Sequence, residues 1–188
     1  MRARAHALSS VAGVSTVQIL HTQLTHRPLT DVIYATDDIK MQISLYAIII
    51  VGTLMGSRLP DIDVKWKKFH RTFTHTVWFL ALIGYLWQIT KNIPQETIQL
   101  ILNPLTFGVL IGSAFHIIGD AYSTQGVDVI WPIIGYRRYP SGAVVVKGRR
   151  TLTPPLYKVG TKPLGVPASV WWSIITIPLF ILSLQSFF

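Results

Sequence analysis

Thr97-Ile-Gln-Leu-Ile-Leu-Asn-Pro-Leu-Thr-Phe-Gly-Val-Leu-Ile-Gly-Ser-Ala-Phe-His-Ile-Ile-Gly119 carries no charge, and Asp120 follows it directly. A helix crossing a bilayer needs about 20 predominantly apolar residues. This run is long enough, with Asn103 and Pro104 near its start. It predicts a transmembrane helix that ends in an acid. Three further uncharged runs accompany it, at residues 43–57, 76–90 and 163–188. The first two are short and must borrow flanking residues to span. A fifth segment, residues 5–20, contains serines, a threonine and a glutamine, so it reads as a spanning, buried or interfacial helix.

Composition agrees. Half the residues are hydrophobic and only 13% are charged, against about 25% in an ordinary soluble domain. The expected fold is all-α: a polytopic membrane bundle of four to five transmembrane segments with a cytoplasmic-side loop region. Residues 1–188 form a single integral membrane domain. Arg2 and Arg4 resemble the start of a signal peptide. The apolar stretch behind them is weak and no small-residue cleavage site follows, so the segment is expected to stay. The chain has no cysteine, which excludes disulfides and thiolate metal sites.

The net charge of +9 admits nucleic-acid binding, but its distribution gives a different reading. With five crossings the loops alternate sides. Only Arg27, Lys40 and Lys91 then fall on one side, leaving 14 of the 17 Lys and Arg on the other. By the positive-inside rule the rich side is cytoplasmic. That puts the N-terminus in the cytoplasm of a multi-pass cell-membrane protein and makes nucleic acid an unneeded partner. The expected partners are membrane lipid and a lipid or membrane-associated substrate.

Leu59-Pro-Asp61-Ile-Asp63 and His70-Arg71-Thr-Phe-Thr-His75 hold two carboxylates and two imidazoles in a chain with only eight Asp or Glu. Pro60 reads as a break that delivers Asp61 to a turn. Thr72 or Thr74 could cap the next helix, putting His75 in its first turn, where the helix dipole favours a neutral imidazole. His116 and Asp120 are four apart, on one helix face. Gly108 and Gly112 extend that stripe and let another helix approach closely. In the five-span topology Asp61, Asp63, His70, His75, His116, Asp120 and His6 all lie at cytoplasmic ends. Carboxylate with imidazole is the ligand chemistry of Zn²⁺, Mn²⁺ or Fe²⁺. The ordinary alternative is that Asp120 caps its helix and His116 bonds a backbone carbonyl. His21, His26, Asp31, Asp37 and Asp38 fall on the other side and stay out of the site.

In this order the residues resemble the YdjM-like family of membrane-bound metal-dependent hydrolases. The resemblance rests on His6, Leu59-Pro-Asp61-x-Asp63, His70-Arg-x-x-Thr-His75 and His116-x-x-x-Asp120. It continues into Gly126-Val127 and Trp131-Pro132 and spans residues 5–165. More distantly, the order is similar to zinc-dependent phospholipase C. That resemblance implies Asp120 as a bridging ligand, with His116, Asp61 and one of His70 or His75 beside it. The chain departs from both patterns, since no His or Glu follows Asp120. One or two divalent ions fit what is present, zinc first, with manganese or iron as alternatives.

The metal ligands expected are His6, Asp61, His75, His116 and Asp120. Asp63 and His70 are further ligands or a general base and its orienter. Arg71 pairs with a carboxylate or a substrate phosphate, or serves as an anchor charge. The expected function is hydrolysis of a phosphoester in a lipid or membrane-associated substrate. The alternatives are a non-enzymatic membrane protein whose Asp and His form a polar or ion-conducting network, and a DNA-tethering protein using its basic loop. In that loop, Ala143-Val-Val-Val146 suggests one strand of a short hairpin. Trp131, Tyr136 and Tyr139 with Arg137 and Arg138 suit a headgroup-level anchor or an anionic-lipid site.

Overall fold

A computed structural model of the chain describes residues 3–65, 73–121, 136–138, 144–146 and 168–187. His70, Arg71, Gly126, Val127, Trp131, Pro132, Tyr139 and the side chains of Asp63, Arg137 and Arg138 lie outside the described residues.

Five helices carry the described architecture: α1 (Ala3–Thr25), α2 (Ile39–Gly56), α3 (Val77–Lys91), α4 (Glu96–Ala121) and α5 (Ala168–Gln185). Short 3-10 turns lie at Leu29–Val32, Leu59–Lys65 and Phe73–His75. A two-stranded antiparallel ribbon pairs β1 (Tyr136–Arg138) with β2 (Val144–Val146). Each helix follows one of the five apolar segments. Two stretches, Ile39–Ile62 and Glu96–Asp120, are helical, long and apolar enough to cross a membrane. Ser173–Gln185 adds a shorter apolar helix.

The packing inverts the soluble pattern. Ser10, Ser15, Gln18, Thr53 and Ser113 are fully buried, while Leu82, Tyr85, Leu86, Ile174, Ile177 and Ile181 are exposed. Lipid tails are as apolar as leucine, so nothing drives such side chains inward. Close fit and interhelical hydrogen bonds hold the helices together instead.

The closest fit is between α2 and α4. A Cβ added to Gly52 would lie 2.2 Å from the Leu105 carbonyl oxygen, and one on Gly56 2.2 Å from that of Val109. On α4, a Cβ on Gly108 or Gly112 would meet the Ile49 or Thr53 carbonyl oxygen at 2.2 Å. The expected stripe Gly108–Gly112 therefore has a matching one, Gly52-x-x-x-Gly56, and the two backbones touch. Ser113 Oγ donates to the Gly56 carbonyl across this seam at 3.1 Å.

The seam of α1 with α5 uses side chains. Gln18 Nε2 donates to Ser186 Oγ at 2.9 Å, and Thr176 Oγ1 to the Leu8 carbonyl at 2.9 Å. Tyr46 OH, from α2, donates to Ser183 Oγ at 2.9 Å. The polar residues that made segment 5–20 ambiguous are thus what bury α1. Val14, Leu29, Ile49 and Phe107 form the apolar centre.

The helix starts have local causes. Asp38 caps α2 by accepting from Lys40 N–H at 2.9 Å, which accounts for an acid left out of the site. The cap of α3 is Thr76, whose hydroxyl accepts from Phe79 N–H. This corrects the expectation of Thr72 or Thr74. The 3-10 turn uses up Phe73–His75, so α3 begins only at Val77 and His75 stands before the helix, not in its first turn.

Candidate metal centre

Four elements deliver side chains to one end of the bundle. After α2 ends at Gly56, the turn at Leu59–Lys65 presents Asp61, with its N–H donating to the Arg58 carbonyl at 3.2 Å. Pro60 has no N–H to continue a helix. The turn Phe73–His75 presents His75, the last turns of α4 present His116 and Asp120, and the first turn of α1 presents His6.

Ligand atoms of Asp61, His75, His116 and Asp120 all lie within 4.8 Å of one another. His75 Nε2 is 3.7 Å from Asp61 Oδ1 and 3.5 Å from Asp120 Oδ2. His116 Nε2 is 3.5 Å from Asp61 Oδ1 and 3.8 Å from Asp120 Oδ2. A tetrahedral ion with bonds of about 2.1 Å separates its ligands by about 3.4 Å. The four measured edges sit just above that spacing. Two imidazoles and two carboxylates are a donor set suited to zinc, manganese or iron.

The imidazoles are oriented for the task. His116 Nδ1–H donates to the Ser57 carbonyl at 2.6 Å, which leaves Nε2 as the nitrogen facing the group. That Nε2 is buried and makes no hydrogen bond. The carbonyl bond expected of an ordinary structural histidine is present, and it aims the other nitrogen at the carboxylates. Thr74 Oγ1 lies 3.1 Å from His75 Nδ1 and orients that ring likewise. Burial pushes His75 below the ordinary histidine pKa. The nearby His116 acts in the same direction, against the Asp120 and Asp61 carboxylates. The neutral form of His75 is therefore favoured, and its leading cause is burial rather than the dipole of a first helical turn.

His6 stacks on His116, ring centroids 3.9 Å apart, and its Nε2 lies 3.4 Å from Asp120 Oδ1. It adjoins the group through the second oxygen of Asp120 without being one of its four members. Asp61 is the open side: its side chain is 30% exposed, while those of His75, His116 and Asp120 are at most 1%. Sequence reasoning missed the Ser57 carbonyl, because a backbone acceptor leaves no residue-type signal. It also missed Gly52 and Gly56, although their spacing of four was legible.

The YdjM inner membrane protein family model matches residues 1–187. The uncharacterized protein YvsG of Bacillus subtilis (strain 168) is 27% identical over 94 residues, which cover 42% of this chain and 53% of that protein. The chain thus spans about half the length of that curated relative. No solved structure matches the chain.

Proposed function

The chain belongs to the YdjM inner membrane protein family, and from that premise we propose a membrane-embedded, metal-dependent hydrolase. Its substrate is a phosphoester of a lipid or membrane-associated molecule. The observation that carries this reading is the convergence of Asp61, His75, His116 and Asp120 at one end of the bundle. Ionisable groups buried among apolar helices are costly and tend to mark function.

The proposed topology has four to five spans, a cytoplasmic N-terminus and the site on the cytoplasmic face. The side carrying 14 of the 17 Lys and Arg supports that orientation. Asp61, His75, His116 and Asp120 would hold one ion, zinc first. A second ion would use His6 and Asp120 Oδ1. When bound, such a cation supplies Lewis acidity toward a phosphoryl oxygen and an acidified water.

The protein's own groups do the rest. The Ser57 carbonyl and Thr74 hold the two imidazole tautomers. The partly exposed Asp61 marks the side from which substrate approaches. Asp63 and His70 are assigned as general base and orienter, or as further ligands. Arg71 neutralises negative charge developing on the phosphoryl group.

The test is elemental analysis of the detergent-purified protein, followed by assays on phosphatidic acid, phospholipids and polyprenyl phosphates. Stoichiometric zinc, manganese or iron that is lost in Asp120→Ala is expected. An active preparation without bound metal would overturn the reading.

A further inference from the structure

Three of the four grouped residues lie inside apolar stretches, not beyond them. Ile39–Ile62 and Glu96–Asp120, the two stretches long and apolar enough to cross a membrane, contain Asp61, His116 and Asp120. Helix lengths agree. At about 1.5 Å per residue, the 18 residues of α2 reach about 27 Å and the 15 of α3 about 22 Å. The hydrocarbon core of a bilayer is about 30 Å thick, and tilting a helix shortens its reach across it. The far end of α3 suits a headgroup anchor, with Lys91 Nζ 3.8 Å over the Trp87 ring. The turns that follow α2 and precede α3 carry Asp61 and His75. They come to rest at the edge of the hydrocarbon rather than in water.

The side chains on these turns match that depth. Asp61 is the open side of the group, its side chain 30% exposed. Ile62 beside it is 66% exposed, and Phe73, two residues before His75, is 42% exposed. Phe73 is held edge-on against Phe79, ring centroids 6.0 Å apart. Large apolar side chains are disfavoured in water and at home among acyl chains. Arg58 is exposed as well. Its carbonyl accepts from Asp61 N–H at 3.2 Å, which ties a guanidinium to the same turn. A guanidinium suits a phosphate. Cation, ligand carboxylate and apolar surface thus border one opening, and a phosphate joined to a hydrocarbon chain complements all three.

We propose that the group opens sideways into the leaflet and takes its substrate from there. The substrate is a lipid phosphoester whose chain lies over Ile62 and Phe73 while Arg58 pairs with its phosphate. This rests on the metal-dependent hydrolase reading and deepens it, because it commits the substrate to a lipid and excludes a soluble phosphoester.

The chain has no cysteine, so single-cysteine variants report one position each. Ile62→Cys and Phe73→Cys are labelled with a nitroxide in the full chain, in phosphatidylcholine nanodiscs. Leu82→Cys, in the middle of α3, is the lipid reference, and Lys40→Cys, at the start of α2, the water reference. Molecular oxygen, which concentrates in hydrocarbon, should relax the labels at positions 62 and 73 as it does the lipid reference. A soluble nickel chelate should leave both unaffected. Chelate access equal to that of the water reference would overturn the proposal and leave the hydrolase reading standing.

A kinetic arm gives the same nanodiscs phosphatidic acid with dioleoyl or dihexanoyl chains. The dioleoyl lipid should have the higher kcat/KM by about 10-fold or more, and Ile62→Ser should remove most of that preference, as loss of one buried aliphatic side chain does. Equal kcat/KM for the two lipids would overturn entry from the leaflet. Hydrolysis of neither lipid, by a preparation without bound metal, would instead sink the reading on which the proposal rests.

Discussion

At one end of the bundle Asp61, His75, His116 and Asp120 bring their ligand atoms within 4.8 Å of one another. At the other, His26, Asp31 and Asp37 ring a cleft of about 490 Å³ without such convergence. The residue types are the same. What differs is the helix geometry beneath them. The metal end sits on the seam of α2 and α4, where glycines let backbones touch and Ser57 reaches His116. The cleft is lined from the end of α1, the start of α2 and the residues after α5, and its acids belong to no group close enough to hold an ion among the described residues. Ligand geometry here follows from how closely the supporting backbones approach.

The largest effect should come from breaking that approach. Gly112→Leu would drive a side chain into the Thr53 carbonyl. Overpacking costs about 1–3 kcal/mol, occasionally more, and here it would also separate Ser57 from His116. Loss of monodisperse protein on size exclusion, or of metal in what survives, is expected. A variant with wild-type melting temperature and metal content would refute the close seam.

Next in size, Asp120→Ala removes one of the four groups that could hold an ion and, on the proposed metal-dependent reading, should weaken divalent-metal binding on the order of 100-fold or more, at least the effect of losing an outer-shell partner. Competition with a chromophoric chelator reads it directly. Equal affinity would remove Asp120 from the site.

The third test is pH. A histidine with a lowered pKa stays neutral as pH falls through the ordinary value of about 6.5. His75 is such a group, so protons compete for it only at lower pH. On the proposed metal-dependent reading, metal loss should therefore set in only below the ordinary histidine range, read by chelator competition across a pH series. Half-loss at or above pH 6.5 would contradict burial as the controlling influence.

Two smaller effects sharpen the contrast. Thr74→Val leaves His75 in place but removes the partner of its Nδ1, and should weaken metal binding about 10-fold. Unchanged affinity would make Thr74 a bystander. Tyr46→Phe removes a hydrogen bond to Ser183 remote from the metal group. It should cost about 1 kcal/mol of stability with metal affinity intact, read by thermal melting beside the chelator assay.

The sequence was legible wherever one helix carried the whole signal. Gly108, Gly112, His116 and Asp120 recur every four residues, so their shared face needed no coordinates. The five apolar segments became five helices within a few residues. Asp61 in a turn was readable from Pro60. Features that depend on two distant segments were not. Thr76 replaced Thr72 or Thr74 as cap because a 3-10 turn intervenes, and single-sequence patterns do not register such turns. His26, Asp31 and Asp37 were set aside as outer loop residues, because nothing local reveals that Ser186 and Phe187 fold back to enclose them. His70, Arg71 and the side chain of Asp63 lie outside the described residues, and their roles are proposals read from the sequence.

The hydrogen bonds from Gln18 to Ser186 and from Thr176 to Leu8 each join residues 168 positions apart. Ribosomes extend a chain at about 5–20 residues per second. The first helix is therefore synthesised roughly 10–30 s before Thr176 and Ser186 exist. During that interval Gln18 Nε2 has no Ser186 to donate to and the Leu8 carbonyl no Thr176 to accept from, so this seam closes only once the last helix has been made.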